Sequence, residues 1–278
     1  MRDALDRFFD RANYLNGLLL HLETQLRWFR DSIRNGQRDL ESHLAAGSSL
    51  VIRDLTEWPS HGWAVYYSSG GFATRGKEFV DLVDVLTARE AAWATAQGFE
   101  ALETCLKGLL AAHYLAIPSA ADPVALRKEE PRLNRAGHHR GEAAFWSVYV
   151  RRLYRSADDA LAEIRRVAPQ LEKAEQQNNY PRDVASWFAV VSEIRHAVVH
   201  SNLTIAMRRW AGWPMDRQQL AQDLFAGSHG PNGFELRLSV KQATEVLTGL
   251  VEYGYAAFKA LSLAAQTEWR VFPKQGEH

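Results

Sequence analysis

Cysteine is almost missing from this chain: Cys105 is the single one in 278 residues. One thiol excludes an intrachain disulfide and a cysteine-built zinc site, and it fits a reducing, cytoplasmic setting. Net charge is also missing, with 33 basic residues against 33 acidic ones. No global field draws the protein to nucleic acid, so a phosphate-bearing partner must be caught by a local patch. There is no run of about 18 apolar residues, the length from which a membrane-spanning helix is read. The opening residues Met1-Arg2-Asp3-Ala4-Leu5-Asp6 lack the basic-then-apolar order of a signal peptide. No internal repeat is visible. These absences predict an intracellular protein without a membrane partner, and 46% hydrophobic residues are enough to bury a real core.

What is present is helical periodicity. Leu5, Phe8, Ala12, Leu15, Leu19, Leu22, Leu26, Phe29 and Ile33 alternate in steps of three and four residues. That is a coiled-coil seam, which serves either a long helix packed lengthwise in a bundle or an arm that pairs with another chain. Residues 48–75 change character: Leu50–Leu55 and Trp63–Tyr67 are branched and aromatic, separated by Pro59 and Gly62, which predicts a short hairpin or lid. Trp58 and Trp63 there are a candidate nucleotide-sensing surface. A helix follows over 77–116, with Phe79, Val83, Leu86, Trp93, Phe99, Leu102, Leu106 and Leu109 inward, and Pro118 stops it.

The prolines, glycines and charges of residues 117–142 predict a long loop. Between Arg127 and Arg155 eight Lys/Arg oppose three acids, the best local candidate for touching phosphate. A second long helix is expected over 142–178, and the motif helix over 182–202. Strand character marks Leu203–Trp210 and Phe234–Leu238. Ser239 with Gln242 forms a capping box that opens a last helix, with Val240, Ala243, Leu247, Leu250, Ala257 and Leu261 inward. The expected architecture is all-α, an antiparallel helical bundle with a long N-terminal helix and small β-hairpin embellishments. Residues 1–76 read as a helix-plus-hairpin extension and residues 77–278 as a helical domain, packed together as one unit.

The motif helix carries Ser192-Glu193-Ile194-Arg195-His196-Ala197-Val198-Val199-His200-Ser201-Asn202. At about 100° per residue, Trp187, Val190, Val191, Ile194, Ala197 and Val198 fall on one side. The opposite arc collects Arg195, Ser192, His196, His200 and Glu193, interrupted only by Val199. A guanidinium, two imidazoles and a carboxylate thus sit within two turns. Histidine moves protons near neutral pH, and arginine is a planar cation suited to a phosphoryl group. The residues alone leave other uses open. Arg195 can form a structural ion pair with Glu193 or Glu103, and histidines at helix ends cap carbonyls. His196 and His200 have the spacing of zinc ligands, but the residues between them are Ala-Val-Val, without the glutamate base of a His-Glu-x-x-His site.

Arg195, polar His196 and His200 on the last-but-one expected helix resemble the Arg-x4–6-His signature of the HEPN superfamily (higher eukaryotes and prokaryotes nucleotide-binding). Residues Phe99 to Lys107 resemble that family's preceding core helix, and Glu103 with Lys107 is similar to polar positions lining the site in some members. The resemblance covers roughly residues 80–116 and 143–265. It implies a bundle of HEPN type and a metal-independent endoribonuclease, acting through the RNA 2′-hydroxyl at a site shared by two protomers. Arg195, His200 and His196 would be catalytic, with Glu193, Asn202, Glu103 and Lys107 supporting or binding RNA, and with no metal or cofactor. The implied partners are RNA, a second copy of the chain, and an antitoxin or activator of a toxin or of a stress or phage-defence effector. HEPN folds also serve as non-catalytic dimerisation modules that dock a partner protein or nucleotide, which is the competing expectation.

Overall fold

The three-and-four spacing at the amino terminus produces one long helix, α1 (Arg2–Arg34). The structure, a computed structural model, describes residues 1–36, 50–52, 64–66, 76–178 and 183–271. Over these the chain is all-α with small β embellishments. After α1 come β1 (Leu50–Ile52), β2 (Ala64–Tyr66), α2 (Gly76–Ala116), α3 (Pro123–Arg135), α4 (Ala143–Leu153), α5 (Ala157–Val167) and α6 (Gln170–Gln176). Then follow α7 (Val184–His200), β3 (Thr204–Ala206), α8 (Met207–Ala211), α9 (Met215–Leu224), β4 (Ser228–Gly230), β5 (Gly233–Glu235) and α10 (Val240–Ala264). None of these helices is long and apolar enough to cross a membrane.

Two compact units result, one of Met1–Leu18 with Ala91–His278 and one of Leu19–Glu90. In the smaller unit Val83 is buried against Leu26, Phe29 and Ile33 of the α1 seam, and Arg30 pairs with Asp84 at 3.3 Å. Strands β1 and β2 pair antiparallel, Val51 opposite Val65. The residues joining them, with Trp58, Pro59, Gly62 and Trp63, lie outside the described residues.

The larger unit buries the first seam positions, Leu5, Phe8, Ala12 and Leu15, together with Phe99, Leu102, Leu106 and Leu109 of α2. From α7 come Phe188, Val191 and Ile194, and from α10 Leu247, Leu250, Ala257 and Leu261. Glycines let these helices close on one another. A Cβ at Gly254 of α10 would lie 2.7 Å from the Phe8 ring and 3.2 Å from Leu102. Helix α10 starts where its capping box places it: the Ser239 hydroxyl accepts from the Gln242 N–H, and the Gln242 side chain accepts from the Ser239 N–H.

Several expectations are corrected. Residues 117–142 are not one long loop, since most of the span is helical and 136–142 alone connect onward: Asp122 caps α3, Pro123 occupies its first turn, and Leu126, Glu129 and Leu133 form its buried side. The expected helix over 142–178 is three helices. Ser156 and Asp159 form a capping box that starts α5 afresh, and Pro169 ends the next stretch by withholding an N–H. Trp93 is exposed, not inward. The strand expected over Leu203–Trp210 stops at Ala206, where α8 begins and lays Trp210 on Phe234 with ring centroids 4.1 Å apart.

Glu129 ties α3 to α4, accepting from Arg152 Nε at 2.8 Å and Arg132 Nη1 at 3.0 Å. The Arg152 hydrogen bond holds its carboxyl below the usual carboxylate range. Stability from this pairing is therefore complete above the ordinary glutamate value, about 4.3, and is lost as pH falls through the lowered folded value. Wild type should exceed Glu129→Gln in urea stability at neutral pH, and the gap should close on acidification. A gap that ignores pH would contradict the pairing. Packing is tested separately: Gly254→Val should cost about 1–3 kcal/mol of unfolding free energy through overpacking.

Candidate functional site

Helix α7 is opened by Asp183, whose carboxylate accepts from the Ala185 and Ser186 N–H groups. Trp187, Phe188, Val190, Val191, Ile194 and Ala197 are buried. Phe188 anchors the helix between Phe99 of α2 and Tyr253 of α10, with ring centroids 5.3 Å away in each case. The polar arc is left outward: Arg195 and His196 are half-buried and His200 is exposed. The two imidazoles lie side by side, centroids 5.0 Å apart.

Arg195 does not pair with Glu193 or Glu103. Its Nη2 lies 3.4 Å from Oε1 of Glu100 on α2. The other Glu100 oxygen accepts from Gln97 Nε2 at 3.2 Å, and Gln97 Oε1 accepts from Arg11 Nη2 of α1 at 3.3 Å. A polar line therefore crosses three helices, Arg11–Gln97–Glu100–Arg195. Glu100 is the residue that sequence reasoning passed over. Glu100, Glu103 and Lys107 share one face of α2 by three- and four-residue spacing, a signal that marks the face without marking which residue Arg195 meets.

The remaining candidates divide. Glu193 turns to Arg209 of α8 at 2.7 Å. Glu103 accepts from Lys107 at 2.6 Å, and Lys107 Nζ also donates to the Arg155 carbonyl at 3.1 Å. Lys107 thus stands about 10 Å along α2 from Glu100, on the same face, beside the last arginine of the basic run. All eight cations of that run are exposed, although Arg132 and Arg152 are engaged by Glu129. Asn202 is exposed and lies past the end of α7 with φ +46°. Leu203 follows at φ +65°, and its N–H bonds the Ala197 carbonyl at 3.0 Å. Asparagine tolerates that left-handed conformation; a leucine is held there only by its surroundings, at a cost of about 1–3 kcal/mol.

The state of Arg195 distinguishes it from the chain's structural arginines. Arg165 binds both oxygens of Glu175 at 2.9 Å. Arg195 has one long contact to a carboxylate that is itself 41% exposed, and its Nε is buried without an acceptor among the described residues. An unused buried donor is costly in a purely structural arginine. Alongside, α1 and α2 border a groove of about 300 Å³ lined in part by Arg7, Arg11, Glu100 and Cys105. Burial pushes the Cys105 thiol up to about 12, so it stays protonated near neutral pH and is no nucleophile. Among the described residues no three His, Cys, Asp or Glu side chains gather to hold a metal ion.

Comparison of the chain with protein-family models, with curated proteins and with solved structures gives no match.

The arrangement can present a cation with spare hydrogen-bond donors and, on the same polar arc of α7, two neighbouring imidazoles. Because the Arg195–Glu100 contact is long and partly solvated, it adds little to the fold. Glu100→Ala should change urea unfolding free energy by less than about 1 kcal/mol. A larger loss would mark the pair as a structural tie.

Proposed function

We propose that the protein is a metal-independent endoribonuclease of HEPN type, acting as a toxin or as an effector of stress or phage defence. The observation that carries the reading is the under-used guanidinium of Arg195 next to the His196–His200 pair. In this reaction His200 takes the proton of the RNA 2′-hydroxyl, which attacks the adjacent phosphorus. The P–O5′ bond breaks and the departing oxygen takes up a proton from water, leaving a 2′,3′-cyclic phosphate and a free 5′-hydroxyl. Arg195 donates hydrogen bonds to the phosphoryl oxygens as charge grows on them, and His196 orients or polarises. Glu100 positions Arg195, while Lys107 and the basic run hold flanking phosphates. The active centre is composite, built from the motifs of two protomers, so activity falls with dilution into monomer.

Purified protein incubated with total RNA in chelator should give fragments ending in 2′,3′-cyclic phosphate. His200→Ala and Arg195→Ala should each slow cleavage by about 10²–10⁴-fold while remaining folded. Cleavage that appears only on adding a divalent metal would remove this mechanism.

A second reading, a non-catalytic module docking a partner protein, is favoured by the exposed Tyr14, Leu18 and Leu20 of α1. Absence of RNA cleavage by the dimer, together with recovery of a stable stoichiometric complex, would select it.

A further inference from the structure

The groove of about 300 Å³ between α1 and α2 has its whole lining in the larger unit. Its floor is apolar, with Phe8 and Cys105 buried, and Arg7 and Arg11 stand on its α1 rim, one turn apart and both exposed. These two guanidiniums are little used. Arg2 on the same helix binds Asp6 at 2.9 Å. Arg7 makes no hydrogen bond or ion pair among the described residues, although Asp3 and Asp10 lie one turn to either side of it. Arg11 reaches a single amide oxygen, Gln97 Oε1 at 3.3 Å, and lies 5.6 Å from the centroid of the Tyr14 ring. Arginine carries five N–H donors, so most of the donors on this rim are unspent.

Burial pushes the Cys105 thiol up, and the charge of Arg7 works against that shift, so the guanidinium lies within electrostatic reach of the groove floor. Glu100 is the one acid among the lining residues. Its two oxygens are already engaged, one by Arg195 and the other by Gln97. Three hydrogen bonds, Arg11–Gln97–Glu100–Arg195, therefore span the distance from the groove to the motif. A strand with its scissile phosphate on Arg195 passes the groove if it crosses Glu100 away from α7. Guanidinium N–H groups match phosphate oxygens in geometry as well as charge, and a phosphodiester brings one negative charge to a rim with two positive ones.

We propose that Arg7 and Arg11 together hold one backbone phosphate of the RNA strand beside the cut, which makes the α1–α2 groove a subsite outside the motif helix. The subsite rests on the ribonuclease reading, yet the two can fail separately: cleavage of unmodified RNA tests the reading, and binding of a strand that cannot be cut tests the subsite. Fluorescence anisotropy of the full chain with a labelled 2′-O-methyl oligoribonucleotide, repeated over a range of salt, measures that binding. Replacing both arginines (Arg7→Gln with Arg11→Gln) should weaken it and flatten the slope of log K against log salt by about 0.7, the contribution of one single-strand phosphate. Thr104→Glu sets a carboxylate inside the groove, and Asn13→Glu makes the same change of net charge at an exposed α1 position outside its lining. The first should weaken binding about ten-fold and the second by less than about two-fold, with thermal unfolding confirming that every variant is folded. Wild-type affinity and slope in the double variant, equal effects of the two glutamates, or no binding of the strand by wild type would overturn the subsite. So would calorimetry showing that the double substitution abolishes binding of 5′-AMP while the strand binds as before, since the groove would then serve a free nucleotide.

Discussion

The larger unit depends on how closely α2 and α10 approach. Gly98 faces Leu247 and Leu250 with no room for a side chain, and Gly254 does the same against Phe8 and Leu102. Interiors are close-packed and transmit displacement rather than absorb it, so these two crossings fix where α1, α2 and α10 stand. Phe188 then reaches from α7 into the slot between them and touches an aromatic ring on each side. Once that ring is seated, the rotation of α7 is set. Arg195, His196 and His200 face out because Val191, Ile194 and Ala197 cannot.

Within this frame the polar groups fall into two kinds. One kind is fully engaged: Glu129 between two arginines, Glu175 between Arg165 and Tyr253, Glu163 between Arg166 and Tyr114. These contacts tie the short helices α3, α5 and α6 to α4, α2 and α10 respectively. The other kind is left with capacity to spare, and Arg195 is its clearest member. Arg165 and Arg166 each bind a glutamate through two nitrogens, whereas Arg195 has a single long contact to a partly solvated carboxylate.

Much of the architecture was readable from periodicity. The seam of α1, the extent of α2 and α7 and the start of α10 all follow from apolar spacing and caps, which are local signals. What escaped reading was local structure with little apolar content. Helix α3 has six charged residues among its thirteen and buries only Leu126, Glu129 and Leu133, so its prolines and charges imitate a loop. The breaks between α4, α5 and α6 were hidden for the opposite reason. Each short helix buries its own apolar face, and the pattern runs on across Tyr154 and Pro169 as though unbroken. The motif's polar arc was legible because it lies on one helix. Its counterpart Glu100 was not, because nothing along α2 says which of three polar residues will meet a neighbour that is nearly a hundred positions away.

The turn after the motif has a bearing on how this chain can vary. Asn202 and Leu203 reverse the backbone, and the next residues enter β3, paired so that Ile205 faces Phe234 of β5. Side chains on a strand alternate between faces, so adding or removing one residue here would carry the buried Ile205 out to solvent. The segment from His200 to Ala206 is therefore intolerant of length change, whatever residues fill it. Lineages descended from this sequence would be free to lengthen the connections on either side of α3, but would have to keep the span between the second histidine and the sheet at a constant count.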